Sequence, residues 1–184
     1  MLYIAFLIFI CSFLWVCFCL YSYVLNGCGK FAPFVPTNSK IGKDVRLILK
    51  NKLQASKKSL KIVDLGSGTG SVLIPLAKEF PQHRFIGYEW DPILIQISRK
   101  KARGLKNIVF KQRNYMKENL SVFNVVFAYV LKAQGDQVGL KLKKELKHES
   151  FVVAADYPLS YLKEYKRHKS SRFGISAEIY VYLL

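Results

Sequence analysis

Of the first 25 residues, only Ser12 and Ser22 fall outside the apolar and aromatic class, and the first charged side chain is Lys30. Such a run predicts one continuous helix from Met1 to Leu25. At about 1.5 Å per residue it can cross a hydrocarbon core about 30 Å thick. The pattern then breaks. Gly27, Gly29, Pro33 and Pro36 predict an irregular linker over residues 26–38. From Ser39, a candidate N-cap, Ile41, Val45, Ile48, Leu49 and Leu53 recur at helical spacing, with Lys40, Lys43, Arg46 and Lys50 mostly on other faces.

Short apolar runs and amphipathic stretches alternate from there. Strands are expected at Leu60–Leu65, Arg84–Glu89, Asn107–Lys111, Val122–Val130 and Phe151–Ala155. Helices are expected at Val72–Phe80, from Asp91-Pro92 to Arg103 with Gly104 closing it, and at Ala133–Lys147. Ala177–Leu184 reads as a last strand. It follows a long polar stretch, Tyr161–Ser176, with no crossover helix, so it could enter antiparallel through a hairpin. Alternating β and α units predict an α/β, Rossmann-like, mostly parallel sheet with helices on both faces, preceded by one N-terminal transmembrane helix. The expected organisation is an anchor over 1–25, a linker and lid loop over 26–38, and a catalytic domain over 39–184.

Composition sharpens this division. All 29 Lys and Arg and all 12 Asp and Glu lie after the apolar run, for a net charge of +17. The apolar content excludes a disordered chain. A length of 184 residues excludes a two-domain enzyme. The lack of a second long apolar stretch excludes a multi-span transporter. A cleaved signal peptide needs a basic start and a shorter apolar core. Leu25-Asn26-Gly27-Cys28 only faintly resembles a lipoprotein cleavage box. The basic flank, Lys30, Lys40, Lys43, Arg46 and Lys50, would place the domain on the cytoplasmic side of a single-pass anchor. All four cysteines (Cys11, Cys17, Cys19 and Cys28) lie in or beside the apolar run, and His83, His148 and His168 are scattered on polar stretches. No metal site is expected.

The informative stretch is Val63-Asp64-Leu65-Gly66-Ser67-Gly68-Thr69-Gly70. It is an apolar strand, an acid near its end, a glycine turn that lets a ligand approach the backbone, and a helix. The next strand ends at Glu89, 23 residues after Gly66, where an acid can accept both hydroxyls of a ribose. A dinucleotide site would favour G-x-G-x-x-G, aimed at a pyrophosphate. The G-x-G-x-G found here, with Asp64 before it, suits a cationic ligand without phosphate. A bare structural turn is the remaining alternative.

Asp64-x-Gly-x-Gly-x-Gly resembles the first motif of class I S-adenosylmethionine-dependent methyltransferases, and Glu89 matches the acid of their second. The resemblance implies that Asp64, Gly66, Ser67, Gly68 and Gly70 line the methionine part of the cofactor. It also implies that Glu89 holds the ribose, that Trp90 flanks the adenine, and that Asn114 and Tyr115 contact it. Ala32-Pro33-Phe34-Val35-Pro36-Thr37, Gly87-Tyr88-Glu89 and Arg113-Asn114 further resemble the membrane-anchored protein-lysine methyltransferases of the ATP synthase c-subunit and adenine nucleotide translocator, and their bacterial relatives. That likeness covers roughly residues 29–156 and implies a single-pass enzyme, in the inner mitochondrial membrane if the source is a eukaryote. Its expected partners are the bilayer and a protein with an accessible lysine, which could itself be membrane-embedded.

Methyl transfer to lysine needs a neutral amine held in line with the methyl group. Phe34, Tyr129 and Tyr157 are candidates to line an aromatic channel, with Thr37 as a hydrogen-bonding group; ordinary core packing is the alternative for each aromatic. Ala128-Tyr129-Val130-Leu131 lacks the Asn/Asp-Pro-Pro-Tyr-like motif of nucleic-acid amino-methyltransferases, and the domain has no cysteine for the Cys-dependent RNA enzymes. A nucleic-acid partner is therefore disfavoured. An RNA or small-molecule methyltransferase, or a non-catalytic membrane-anchored module, remains as the alternative.

Overall fold

The structure is a computed structural model, and it describes residues 2–25, 40–172 and 174–184. The chain divides into two compact units, Met1–Ala32 and Pro33–Leu184. The linker over 26–38, with Ser39, lies outside the described residues.

In the first unit, Leu2–Leu25 forms helix α1, 24 residues without a charged side chain. Among the described residues, however, no helix is long and apolar enough to cross a membrane. The expected transmembrane helix is thus reduced to what is observed, an uncharged helix with exposed Phe6, Leu7, Phe9 and Trp15.

The second unit begins with α2 (Lys40–Gln54), whose buried stripe is Ile41, Val45, Leu49 and Leu53. Then follow β1 (Lys61–Leu65), α3 (Leu73–Glu79), β2 (Arg84–Glu89), α4 (Pro92–Lys101), β3 (Ile108–Gln112), β4 (Val125–Ala128), α5 (Gly135–Glu145), β5 (Phe151–Ala155), β6 (Glu164–Arg172) and β7 (Ile175–Leu183). The strands form one sheet in the order β3-β2-β1-β4-β5-β7-β6. β1 to β5 run parallel, and β7 pairs antiparallel with both β5 and β6. The expected doubly wound, mostly parallel α/β architecture is what forms.

Two-sided burial explains the sequence of the central strands. In β4, Val125 and Phe127 enter the core beneath α2, α3 and α4, while Val126 and Ala128 enter the core that also takes Val138 and Leu142 of α5. A strand covered on both faces shows a continuous apolar run and no alternation. The apolar run therefore extends past the paired residues, and the expected Val122–Val130 shrinks to four.

Asp91 caps α4 as anticipated, its Oδ1 accepting from the N–H groups of Ile93 (2.7 Å) and Leu94 (3.1 Å). The helix ends two residues earlier than expected, at Lys101, and Gly104 adopts φ +89° in the turn beyond it. β6 lies in the polar stretch for which no strand is expected, and it forms the hairpin through which β7 enters antiparallel. Its residues, Glu-Tyr-Lys-Arg-His-Lys-Ser-Ser-Arg, carry no apolar alternation because it is an edge strand kept from pairing further by charge. It turns at Gly174 (φ +80°) into β7, the hairpin that makes β7 antiparallel. His83, placed by sequence on a polar stretch, is fully buried. Its Nδ1 accepts from Leu60 N–H, so Nε2 carries the proton towards Leu53 O, and the ring ties the end of α2 to the start of β1.

Candidate active site

The order of the sheet reverses between β1 and β4, and ligands of open α/β sheets bind where the strands end beside such a reversal. The loop leaving β1 has Gly66, Gly68 and Gly70 at φ +99°, +52° and +77°. L side chains rarely adopt such angles, so glycine is required for this turn. The Gly66 and Ser67 N–H groups donate to Tyr88 O (2.9 and 2.8 Å), stitching the loop to β2.

Glu89 ends β2 and organises the site. Its Oε2 accepts from Gly68 N–H (2.8 Å), and its Oε1 accepts from Trp90 N–H (2.7 Å) and Asp91 N–H (2.8 Å). The carboxylate thus bridges the glycine loop and the start of α4 while remaining half-exposed. Arg113 N–H donates to Glu89 O (3.0 Å), which brings the segment after β3 to the same place. There Asn114 Oδ1 accepts from Met116 N–H and caps a short 3-10 turn. Burial and the Glu89 charge push the Tyr115 hydroxyl up to about 12, so it stays neutral. Trp90 is about half exposed, with 47% of its surface open.

Asp64 is 2% exposed, and its Oδ1 has no hydrogen-bond partner; nor has the buried Ser67 Oγ. Desolvation, with the Glu89 charge added, holds the Asp64 carboxyl well above the usual carboxylate range. A buried acid with an orphaned oxygen is costly unless a ligand meets it. A sulfonium-bearing amino acid does so: it brings a cation and an ammonium donor. The residues therefore fit S-adenosylmethionine. Gly87 keeps the floor clear, because a Cβ there would lie 2.5 Å from Phe110 Cδ1 and 2.6 Å from Ser67 Oγ.

The structure brings Asp64, Gly66, Ser67, Gly68, Gly70, Glu89, Trp90, Asn114 and Tyr115 together around the ends of β1 to β3. Tyr129 follows β4, and its hydroxyl donates to Asp156 Oδ2 (3.2 Å) just beyond β5. Asp156 has φ +72°. Sequence reasoning missed it, because only the β4–β5 pairing makes residues 27 apart neighbours. Phe34 and Thr37 lie outside the described residues. Tyr157 is half-buried beside Asp156. Among the described residues, no three His, Cys, Asp or Glu side chains are grouped to hold a metal ion.

Comparison with known proteins decides the class. The sequence profile of the ANTKMT methyltransferase domain matches residues 64–166. The chain belongs to the ANTKMT methyltransferase domain family. The expected class goes with membership: this is an S-adenosylmethionine-dependent methyltransferase. Among its relatives, a protein-lysine N-methyltransferase of Saccharolobus islandicus is 25% identical over 159 residues, covering 83% of this chain and 93% of that protein. The ATP synthase c-subunit lysine N-methyltransferase of Mus musculus is 31% identical over 130 residues, covering 68% of this chain and 49% of the mouse protein. The chain thus spans about half the length of that mammalian relative. Of solved structures, an RNA methyltransferase from Salinibacter ruber in complex with S-adenosyl-L-homocysteine aligns with a TM-score of 0.62 at 22% identity, covering 74% of this chain and 90% of that one. Magnesium protoporphyrin IX methyltransferase from Synechocystis, with bound cofactor, aligns at 0.61 and 11%, covering 83% and 85%. At these identities the structural likeness speaks for the fold alone.

Proposed function

We propose that the chain is a membrane-anchored protein-lysine N-methyltransferase. The observation that carries the acceptor is the Tyr129–Asp156 pair, an aromatic hydroxyl and a carboxylate 3.2 Å apart beyond the adjacent strands β4 and β5. It lies across the sheet reversal from the glycine loop, on the side from which an acceptor would enter. A carboxylate there suits a cationic amine; it would repel the phosphates of RNA. The names of the relatives, both lysine methyltransferases, support the same acceptor.

In this reading, Glu89 accepts the ribose hydroxyls, Trp90 and Tyr115 flank the adenine with Asn114 beside them, and Asp64 meets the cationic methionine part over the glycine loop. The cofactor supplies a methyl group on a sulfonium sulfur, already activated for in-line displacement. The protein's own work is positioning and desolvation. Asp156 draws the ammonium in. The Tyr129 ring and the apolar strand ends strip water from it, which opposes the carboxylate's pull and favours the neutral, nucleophilic amine, its proton passing to Asp156 or to solvent. Phe34 and Thr37 are assigned to the acceptor entrance on the family resemblance.

The membrane part of the proposal is supported by α1, 24 residues without a charge, and by the basic residues Lys40, Lys43, Arg46 and Lys50 that follow the linker. The positive-inside rule then places the domain on the cytoplasmic side, or facing the matrix of a mitochondrion.

The test is to incubate the full chain with methyl-labelled cofactor and membranes, then digest with protease or RNase. Loss of label to protease, with mass increments of one to three methyl groups on lysine, is expected. Label that survives protease and disappears with RNase would overturn the acceptor assignment.

A further inference from the structure

Charge is distributed unevenly between the two ends of the sheet. The end that carries the glycine loop also carries Asp64, Glu89, Asp91, Glu118 and Asp156, with Lys111, Arg113, Lys117 and Lys132 among them. At the opposite end, where the parallel strands begin, Lys57, Lys58, Lys61, Arg84, Lys106 and Lys147 are all exposed. Lysines and arginines often gather at helix C-termini, where the dipole favours them. These six are outside any helix: they sit in the connections and at the first residues of β1 and β2, and Lys61, Arg84 and Lys106 lie more than a turn beyond any helix end. Acids at this end are largely occupied. Glu79 is bridged to Lys50 and Glu145 to Lys141, each at 2.5 Å.

A groove opens beside this end, between α2 and β6. Its volume is about 220 Å³; Ile48, Phe151, Tyr165 and Val181 line it, and Lys52, Lys166 and His168 also border it. Lys52 Nζ lies 5.2 Å from the centre of the Phe151 ring. Apolar walls with cations around them match an acyl chain below an anionic headgroup. The apolar walls favour a lipid over a polynucleotide, although Tyr165 in the groove is itself an exposed aromatic.

We propose that the strand-start end of the sheet is a docking surface for anionic lipid headgroups, with the α2–β6 groove receiving part of an acyl chain. The choice of partner rests on the membrane reading of α1 above; the surface itself rests on the charge and the groove. Docked in this way, the domain presents its glycine loop and acceptor side away from the bilayer it lies on.

The test compares the same full chain in two vesicle types, phosphatidylcholine alone and phosphatidylcholine with phosphatidylserine. An amine-acylating reagent reports the exposure of each lysine by mass spectrometry. Lys57, Lys58, Lys61, Lys106 and Lys147 should be protected only in the anionic vesicles, together with Lys52 and Lys166, and high salt should remove the protection. Lys57→Glu, Lys58→Glu and Lys61→Glu should each weaken the interaction at least about fivefold, the order expected for one basic side chain near an anionic surface. Their cofactor affinity should be unchanged.

Equal labelling in both vesicle types would overturn the proposal. Protection by an RNA homopolymer, with none from anionic vesicles, would overturn it in favour of nucleic acid. Protection of the connection lysines without Lys52 and Lys166 would overturn the groove. Failure of the chain to float with neutral vesicles would sink the anchor reading and leave the lysine footprint to decide this one.

Discussion

Glu89 shows how much one side chain can organise. Its two oxygens accept from three backbone N–H groups in two segments, so replacing it strikes the loop and the helix start together. Glu89→Gln substitutes a donor for one acceptor, at a cost of about 1.5–3 kcal/mol for a hydrogen bond to a charged group. Cofactor affinity should fall at least about tenfold, read by calorimetry, together with a lower melting temperature. Asp64 behaves in the opposite way. Its folded pKa is raised, so its contribution to stability is fully present below the ordinary carboxylate value of 3.8 and is lost as pH rises through the raised value. Asp64→Asn should therefore raise the melting temperature of the ligand-free protein at neutral pH while abolishing cofactor binding. In the native protein a cationic ligand favours the ionised form, so affinity should weaken as pH falls through that raised value. A flat pH profile would contradict this. At the acceptor side, Asp156→Asn keeps the shape and tolerates φ +72°, which Asn adopts more readily than most residues. The KM for the protein substrate should rise about tenfold, with cofactor affinity unchanged. Unchanged steady-state kinetics would remove Asp156 from the site.

At the scale of elements, strands covered on both faces were legible and the exposed one was not. β1, β4 and β5 announce themselves by apolar runs because both faces bury them. β6 is an edge strand, so nothing forces its side chains to alternate. Its place is fixed by pairing with β7 and by contacts such as Ser170 Oγ donating to Asp44 Oδ2 of α2 (2.7 Å). α5 depends on another tertiary fact. A Cβ on Gly139 would collide with the backbone of Ser160, which cannot move aside as a flexible side chain can. Gly139→Ala should therefore destabilise the domain by about 1–3 kcal/mol despite the better helix propensity of alanine. Denaturant unfolding measures this; a stabilised variant would show that α5 packs differently.

At the scale of the molecule, the two ends of one sheet hold different chemistry: an acid-rich end gathers the site, and the other end is strongly basic. A net charge of +17 says nothing about this separation. It arises because β1 to β5 run parallel, so the loops that enter these strands share one end of the sheet and the loops that leave them share the other.

The sequence by itself determined the order of elements from α2 to β5, the α/β class and the class of cofactor. Asp64 through Gly70 and Glu89 are read from local order, since a strand, its turn and the next strand's end meet through short, fixed connections. The tertiary structure alone decided the Tyr129–Asp156 pairing and the basic end. Tyr129 meets Asp156 only because β4 pairs with β5, and Lys57, Arg84, Lys106 and Lys147 share a surface only because the strands they precede lie side by side. Contacts between distant residues come from strand pairing, which no local pattern encodes.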